Sequence, residues 1–142
     1  MGRYVATGYN DFTDAHGKWH VPYINNTHPE TKNSMGDLWV GVGGALAAGG
    51  GPIIQVGIEL SRDNNGVYHY RSWYENYGPA APPGTTPPVY GGDVTPCHNV
   101  SAGVWKVNAT HWHVSLKDDN GTVIIDQDVN TTDHPPNQKC AE

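Results

Sequence analysis

The chain has 142 residues, of which 15% are charged, and its formal net charge at pH 7 is -6. Eight lysines and arginines do not provide the basic surface that nucleic-acid binding needs, and the sequence has no apolar run of about 18 residues that could span a membrane. We expect residues 1–142 to form one domain around a single hydrophobic core.

The first third of the chain is rich in turn residues. Polar segments at Gly8–Asp11 and Asn25–Asn33 flank the short run Trp19–Tyr23, in which Pro22 predicts a strand at a sheet edge or a strand end. The segment after Met1 is polar and does not resemble a signal peptide. The chain also shows no capped amphipathic pattern of the kind that predicts a helix.

Three consecutive runs with period-two alternation occupy the middle of the chain: Leu38–Gly44, Pro52–Leu60 and Tyr70–Tyr77. Successive side chains of a strand point to opposite faces, so the alternate aliphatic residues of the second run form a core face. Gln55 and Glu59 then lie on the opposite face, about 13 Å apart along the strand.

Pairing of the three runs in one sheet would create a single face of polar and aromatic side chains. Glycines at positions 41, 43 and 57 would leave that face hollow, because they let another backbone approach closely. A hollow, aromatic-walled face is suited to an extended chain as ligand. Its predicted members are Trp39, Gln55, Glu59, Trp73, Glu75 and Tyr77.

The remaining sequence predicts further strands and turns. A proline-rich segment up to Pro88 favours a stiff connection, and Gly91–Asp93 predicts a turn. Val104–Leu116 alternates as one run, and Asn120-Gly121 before Thr122–Ile125 predicts a hairpin. Many short strands with Gly, Pro and Asn turns predict an all-β protein, a sandwich or a barrel.

The histidines, cysteines and sequons bear on metal binding, disulfide formation and export from the cell. His111 and His113 share one side of their run, but no set of three or four ligands has the spacing of a zinc site, so we expect no metal. Cys97 and Cys140 could form a disulfide or remain separate. Five sequons suit an exported, glycosylated protein. They begin at Asn25, Asn99, Asn108, Asn120 and Asn130.

The polar face is also compatible with a carbohydrate-active protein. Glu59 and Glu75 could serve as acid and base in glycoside hydrolysis, with Trp39 and Trp73 stacking on sugar rings. The same aromatic residues without chemistry would give a lectin-like binding module. For either glutamate alone, a solvated or ion-paired surface role is the simpler alternative.

Five motifs in chain order resemble the eqolisin family of glutamic peptidases: Trp19–Pro22, Leu38–Gly44, Ile54–Gly57, Trp73–Tyr77 and Gly92–Val94. The resemblance runs from Tyr4 to the last residue. It implies a secreted, acid-acting endopeptidase with a concanavalin-like sandwich of antiparallel sheets and without a metal or organic cofactor. It also implies an extended polypeptide as substrate, and we expect a monomer.

The resemblance further implies a catalytic dyad of a glutamine and a glutamate. Gln55 matches the family's glutamine. Glu142 is the candidate glutamate, because the chain ends in Cys140-Ala141-Glu142 where the family has Ala-Glu-Trp. The tryptophan and the last strand of the family are expected to be missing.

Supporting roles are implied by the same resemblance. Glu59 and Glu75 would carry hydrogen bonds that orient the glutamine or its neighbours, and Trp39, Trp73 and Tyr77 would line the substrate groove. Gly43 stands where many members of the family carry an aspartate.

Overall fold

The computed structural model describes residues 6–7, 11–24, 35–43, 51–78, 88–133, 135–136, 138 and 140–141. Within these ranges the chain contains ten strands and no helix, and the strands form two antiparallel sheets packed as a sandwich. This arrangement confirms the antiparallel β-sandwich predicted from the sequence. The segment 79–87, which includes most of the proline-rich connection, lies outside the described residues.

The larger sheet has six strands in the order β1-β10-β3-β4-β5-β6. They are β1 (Ala6–Thr7), β3 (Met35–Gly43), β4 (Ile53–Arg62), β5 (Tyr68–Tyr77), β6 (Val89–Asp93) and β10 (Cys140–Ala141). The smaller sheet has the order β2-β7-β8-β9. Its strands are β2 (Asp14–His20), β7 (Asn99–Lys106), β8 (His111–Asp118) and β9 (Val123–Asn130).

The core lies between the two sheets and is built by strand alternation. Ile54, Val56 and Ile58 of β4 are fully buried, as the alternation predicted, and Trp112 and Leu116 of β8 face them from the smaller sheet. Burying each side chain of this size stabilises the fold by about 1.5–3 kcal/mol. The opposite face of β4 is therefore left for the polar residues.

The run Val104–Leu116 is not one strand, as its alternation had suggested. A turn at residues 107–110 separates β7 from β8. The side-chain Oδ1 of Asn108 accepts hydrogen bonds from the backbone N–H groups of Thr110 (2.9 Å) and His111 (3.0 Å), which reverses the chain without interrupting the alternation. The hairpin at Asn120-Gly121 is confirmed, and Gly121 has the positive φ of 80° that such a turn requires.

The turn predicted at Gly91–Asp93 is wrong, because these residues belong to β6 at the edge of the larger sheet. A Cβ atom on Gly91 would lie 2.5 Å from Ser72 Oγ and 2.8 Å from Ile125 Cγ1. The Ser72 hydroxyl donates a 2.7 Å hydrogen bond to the Gly92 carbonyl oxygen. The glycines at this position therefore permit close packing of a strand instead of marking a turn.

The end of β2, the cysteines and the sequons were also subjects of prediction. β2 is an edge strand and ends before Pro22, as the proline predicted. Cys97 is a free, exposed cysteine, whereas the side chain of Cys140 lies outside the described residues. Four sequon asparagines are exposed, namely Asn99, Asn108, Asn120 and Asn130, and Asn25 lies outside the described residues.

Candidate active site

The three central strands of the larger sheet place the predicted polar residues in rows. Gly41, Gln55 and Glu75 are directly opposite one another on β3, β4 and β5. Residues paired in this way point to the same face of a sheet. The neighbouring row consists of Trp39, Gly57 and Trp73, so two indole rings flank a position without a side chain.

A cavity of about 480 Å³ opens over these rows. Five of the predicted site residues line it, namely Trp39, Gln55, Glu59, Trp73 and Glu75. Tyr77 lies on the same face, opposite Ile53 and beyond the residues that line the cavity. Glu142 lies outside the described residues.

Gln55 and Glu75 are in direct contact. The amide Nε2 of Gln55 donates a 2.8 Å hydrogen bond to Oε2 of Glu75, which holds the glutamine side chain over the sheet. Burial raises the pKa of Glu75, and the hydrogen bond from Gln55 only partly opposes that effect. The carboxyl group of Glu75 is therefore easier to protonate than that of an ordinary glutamate.

Glu59 has a different set of partners. This side chain is only 7% exposed, and it accepts hydrogen bonds from Arg71 (2.7 Å), Tyr90 (2.8 Å) and Ser61 (3.0 Å). Burial alone would raise the pKa of Glu59, but these hydrogen bonds outweigh it and lower the pKa. Glu59 thus connects β4 with β5 and β6 and holds one wall of the cavity, while Glu75 is the glutamate that contacts Gln55.

Four residues that line the cavity were missed in the sequence: Met35, Asp37, Pro88 and Tyr90. Asp37 lies opposite Glu59 in the sheet. Burial and the negative charge of Glu59 raise the pKa of Asp37. Its position two residues before Trp39 carried a usable signal, because period-two alternation puts both on one face. No recognised strand pattern included Tyr90, because the sequence after it, Gly91–Asp93, predicts a turn.

Glycines shape the floor of the cavity. A Cβ atom on Gly41 would lie 2.7 Å from the Ile54 carbonyl oxygen and 3.0 Å from Gln55 Cβ, so a side chain there would crowd the glutamine. Gly43 has a φ of 110°, and its backbone packs against the Pro52 carbonyl too closely for any side chain. The site therefore receives no carboxylate from position 43.

A second cavity of about 380 Å³ adjoins the first and shares Met35 and Glu59 with it. Its remaining lining comes from Ser61, Arg62, Asp63, His69 and Arg71. Together the two cavities form a groove that follows β4. From Gln55 to Ser61 this groove extends over six residues, or about 20 Å.

Two further properties concern the described part of the chain only. It contains no group of three or more His, Cys, Asp or Glu side chains arranged to hold a metal ion. It likewise contains no helix with the length and apolar character needed to cross a membrane.

The family model described as the Peptidase A4 family matches residues 2–142. No curated protein sequence gives a significant match.

Solved structures of two peptidases share the fold. The crystal structure of scytalido-glutamic peptidase with a transition state analog inhibitor has a TM-score of 0.71 and 19% identity, covering 97% of this chain and 60% of that one. SCP-B, a member of the Eqolisin family of peptidases in complex with the tripeptide Ala-Ile-His, has a TM-score of 0.66 and 16% identity. That match covers 96% of this chain and 58% of SCP-B. The chain thus spans about 60% of the length of these proteins.

Proposed function

The chain belongs to the Peptidase A4 or eqolisin family, and from that premise we propose that it is an acid-acting glutamic endopeptidase whose catalytic residues are Gln55 and Glu142. The family assignment confirms the resemblance found in the sequence. The dyad, the acid activity and the substrate go beyond the family assignment and are proposals.

The observation that carries the proposal is the register of β10. Ala141 pairs with Val42 of β3, and Gly41, the neighbour of Val42 on that strand, pairs with Gln55. Gly41 therefore leaves the position beside Gln55 without a side chain, at the part of β3 where β10 pairs. We propose that Glu142, the residue that follows Ala141 in the sequence, supplies the carboxylate that acts with Gln55.

The chemistry follows from the two residue types. The carboxylate of Glu142 takes a proton from water, and the resulting hydroxide attacks the carbonyl carbon of the peptide bond. The Nε2–H of Gln55 donates a hydrogen bond to the oxyanion that forms. The protonated Glu142 then passes its proton to the departing nitrogen, which breaks the C–N bond.

The groove accounts for the proposed substrate. An extended polypeptide would lie along β4, with the indole rings of Trp39 and Trp73 on either side of Gly57 contacting its side chains. A peptide-based transition state analog and a tripeptide are bound in solved structures of related peptidases. We further propose a monomer that acts outside the cell and carries glycans at its exposed sequons.

The carbohydrate-active alternative has less support from the site. Both oxygens of Glu59 already accept hydrogen bonds from protein groups, so this carboxylate has little capacity left to act as an acid or a nucleophile. Glu75 in turn is held by Gln55. A lectin-like role would need only the aromatic residues, and it is distinguished by the experiment below.

The proposal is tested by cleavage of a denatured protein across the acid pH range. We expect Gln55→Ala to lower kcat by about 10²–10³, the usual effect of losing one oxyanion donor, and Glu142→Gln to abolish cleavage. Gln127→Ala is the matched control, because Gln127 is exposed on β9 of the other sheet.

Cleavage that persists in both dyad variants would remove the assignment. Polysaccharide hydrolysis that is lost in Glu59→Gln or Glu75→Gln would support a glycosidase instead. Saturable sugar binding without turnover would support a lectin.

A further inference from the structure

We propose that Glu75 is a positioning residue that acts through Gln55 and sets the upper pH limit of cleavage, because it must be protonated before Gln55 can stabilise an oxyanion. This inference rests on the proposed function. It assigns Glu75 a role in controlling the reaction in addition to orienting the glutamine.

The geometry places a carboxylate next to the developing charge. One hydrogen of Gln55 Nε2 is donated to Glu75 at 2.8 Å, so the second hydrogen is the one left for the substrate. An oxyanion on that second hydrogen would lie roughly 5 Å from the Glu75 oxygen, given ordinary hydrogen-bond distances and angles. Two negative charges at that separation, near a protein surface, would slow the step by about 10²-fold.

Protonation removes this repulsion and keeps the contact. A neutral carboxyl group still has a carbonyl oxygen that can accept the hydrogen bond from Gln55 Nε2, so the amide stays oriented. Burial raises the pKa of Glu75, which makes the neutral form available at a higher pH than for an exposed glutamate.

Other ionisable groups on this face do not replace Glu75. Asp37 on β3 is two rows away from Gln55, about 13 Å along the strand, and Glu59 on β4 is paired with Arg71 on β5. Tyr77 follows two residues after Glu75 on β5, and Tyr90 on β6 donates to Glu59. Among the described residues, Glu75 is the carboxylate in hydrogen-bond contact with Gln55.

The expected pH profile of kcat/KM is bell-shaped. Cleavage falls on the acid side as the base Glu142 becomes protonated, and it falls on the other side as Glu75 becomes ionised. Glu75→Gln keeps a neutral oxygen that accepts from Gln55 but cannot ionise. We therefore expect the upper limb of the kcat/KM profile of this variant to move up by at least about one pH unit, which is a tenfold change in proton concentration.

Two further variants separate positioning from charge. Glu75→Ala loses the hydrogen bond that orients Gln55, so kcat should fall by about tenfold or more at every pH. Asp133→Asn removes an exposed carboxylate outside the groove and should leave the profile unchanged.

A readout that does not depend on activity is the side-chain amide resonance of Gln55 in NMR spectra. We expect its ¹⁵N and ¹H shifts to titrate with the ionisation of Glu75 and to lose that titration in Glu75→Gln. Cleavage that depends on Gln55 but has the same pH profile in Glu75→Gln would overturn this inference and leave the proposed function standing. Absence of cleavage at every pH would overturn the proposed function and, with it, the claimed limit on catalysis, whatever the NMR titration shows.

Discussion

His113 should act as a pH-dependent clamp between two strands of the smaller sheet. Its Nε2 lies 2.9 Å from Asp126 Oδ1 and its Nδ1 lies 2.7 Å from Asp128 Oδ1, so each ring nitrogen faces a carboxylate. A neutral imidazole can donate from one nitrogen only, and the arrangement therefore requires the charged form. Burial would lower the pKa of His113, but the hydrogen bonds and charges of both aspartates outweigh it and raise the pKa above 6.5.

The stabilisation by charged His113 is limited because its two aspartate partners are exposed to solvent. The two aspartate side chains are 55% and 64% exposed, so each pair contributes only about 0.2–1 kcal/mol. Stacking of the charged ring on Trp105, with centroids 4.3 Å apart, adds about 0.5–1 kcal/mol. Because the folded-state pKa is raised, this stability is complete below the unfolded value and disappears as the pH rises through the folded value.

The prediction is measured as the melting temperature of His113→Gln and of the natural chain near pH 5.5 and near pH 9. A loss of about 1–3 kcal/mol at the lower pH corresponds to roughly 3–9 °C for a chain of this size. The difference should become clearly smaller at the higher pH, where the neutral ring loses the charge interactions with both aspartates and keeps its stacking on Trp105. His111→Gln is the matched control, because His111 is on the same side of β8 and contacts the Thr110 hydroxyl instead of a carboxylate. An equal difference at both pH values, or one of the same size in the control, would refute the reasoning.

Three other predictions concern the groove and the core. Glu59→Gln should reduce the free energy of unfolding in urea by about 1–3 kcal/mol. Because the folded-state pKa of Glu59 is lowered, this difference should disappear as the pH falls below 4.5 and through the folded-state pKa. A difference that stays constant with pH would contradict the role of the charge. Ile58→Ala should cost about 2–4 kcal/mol, because it empties a fully buried position, and a loss below about 1 kcal/mol would mean that the core repacks. Gly41→Val should abolish peptide cleavage, because a side chain at this position fills the open space beside Gln55. Gly92→Ala should retain cleavage, since a Cβ atom at position 92 meets nothing closer than 3.6 Å. Equal activity of the two variants would contradict the role of the open space beside Gln55.

Much of the site was predictable because alternation in strands has a fixed period. Once β3, β4 and β5 are recognised, period two decides that Trp39, Gln55 and Glu75 share a face, whatever the turns between them. The core residues of β4 follow from the same rule. The burial of Ile54 and Ile58 is therefore contained in the local sequence.

Cross-strand contacts were not predictable in the same way. The pairing of Glu59 with Arg71 depends on the register of two strands, which the sequence of either strand alone does not determine. The break between β7 and β8 escaped detection because Asn108 turns the chain while apolar and polar residues keep alternating. Gly91 was misinterpreted because a glycine needed for close packing looks the same in sequence as a glycine needed for a turn.

The position of β1 and β10 at one side of the larger sheet determines which part of the groove opens first. β10 joins the sheet through the pairing of Ala141 with Val42 of β3, whereas β4 is paired on both sides, with β3 and with β5. Strands at the side of a sheet can open locally at a lower free energy than the unfolding of the whole sandwich. The amide of Ala141 should exchange with deuterium rapidly, while that of Val56 in the central strand should wait for global unfolding. On warming, the side of the sheet beside Gly41 would then separate while the core is still packed, and the proposed cleavage activity would be lost before the protein melts.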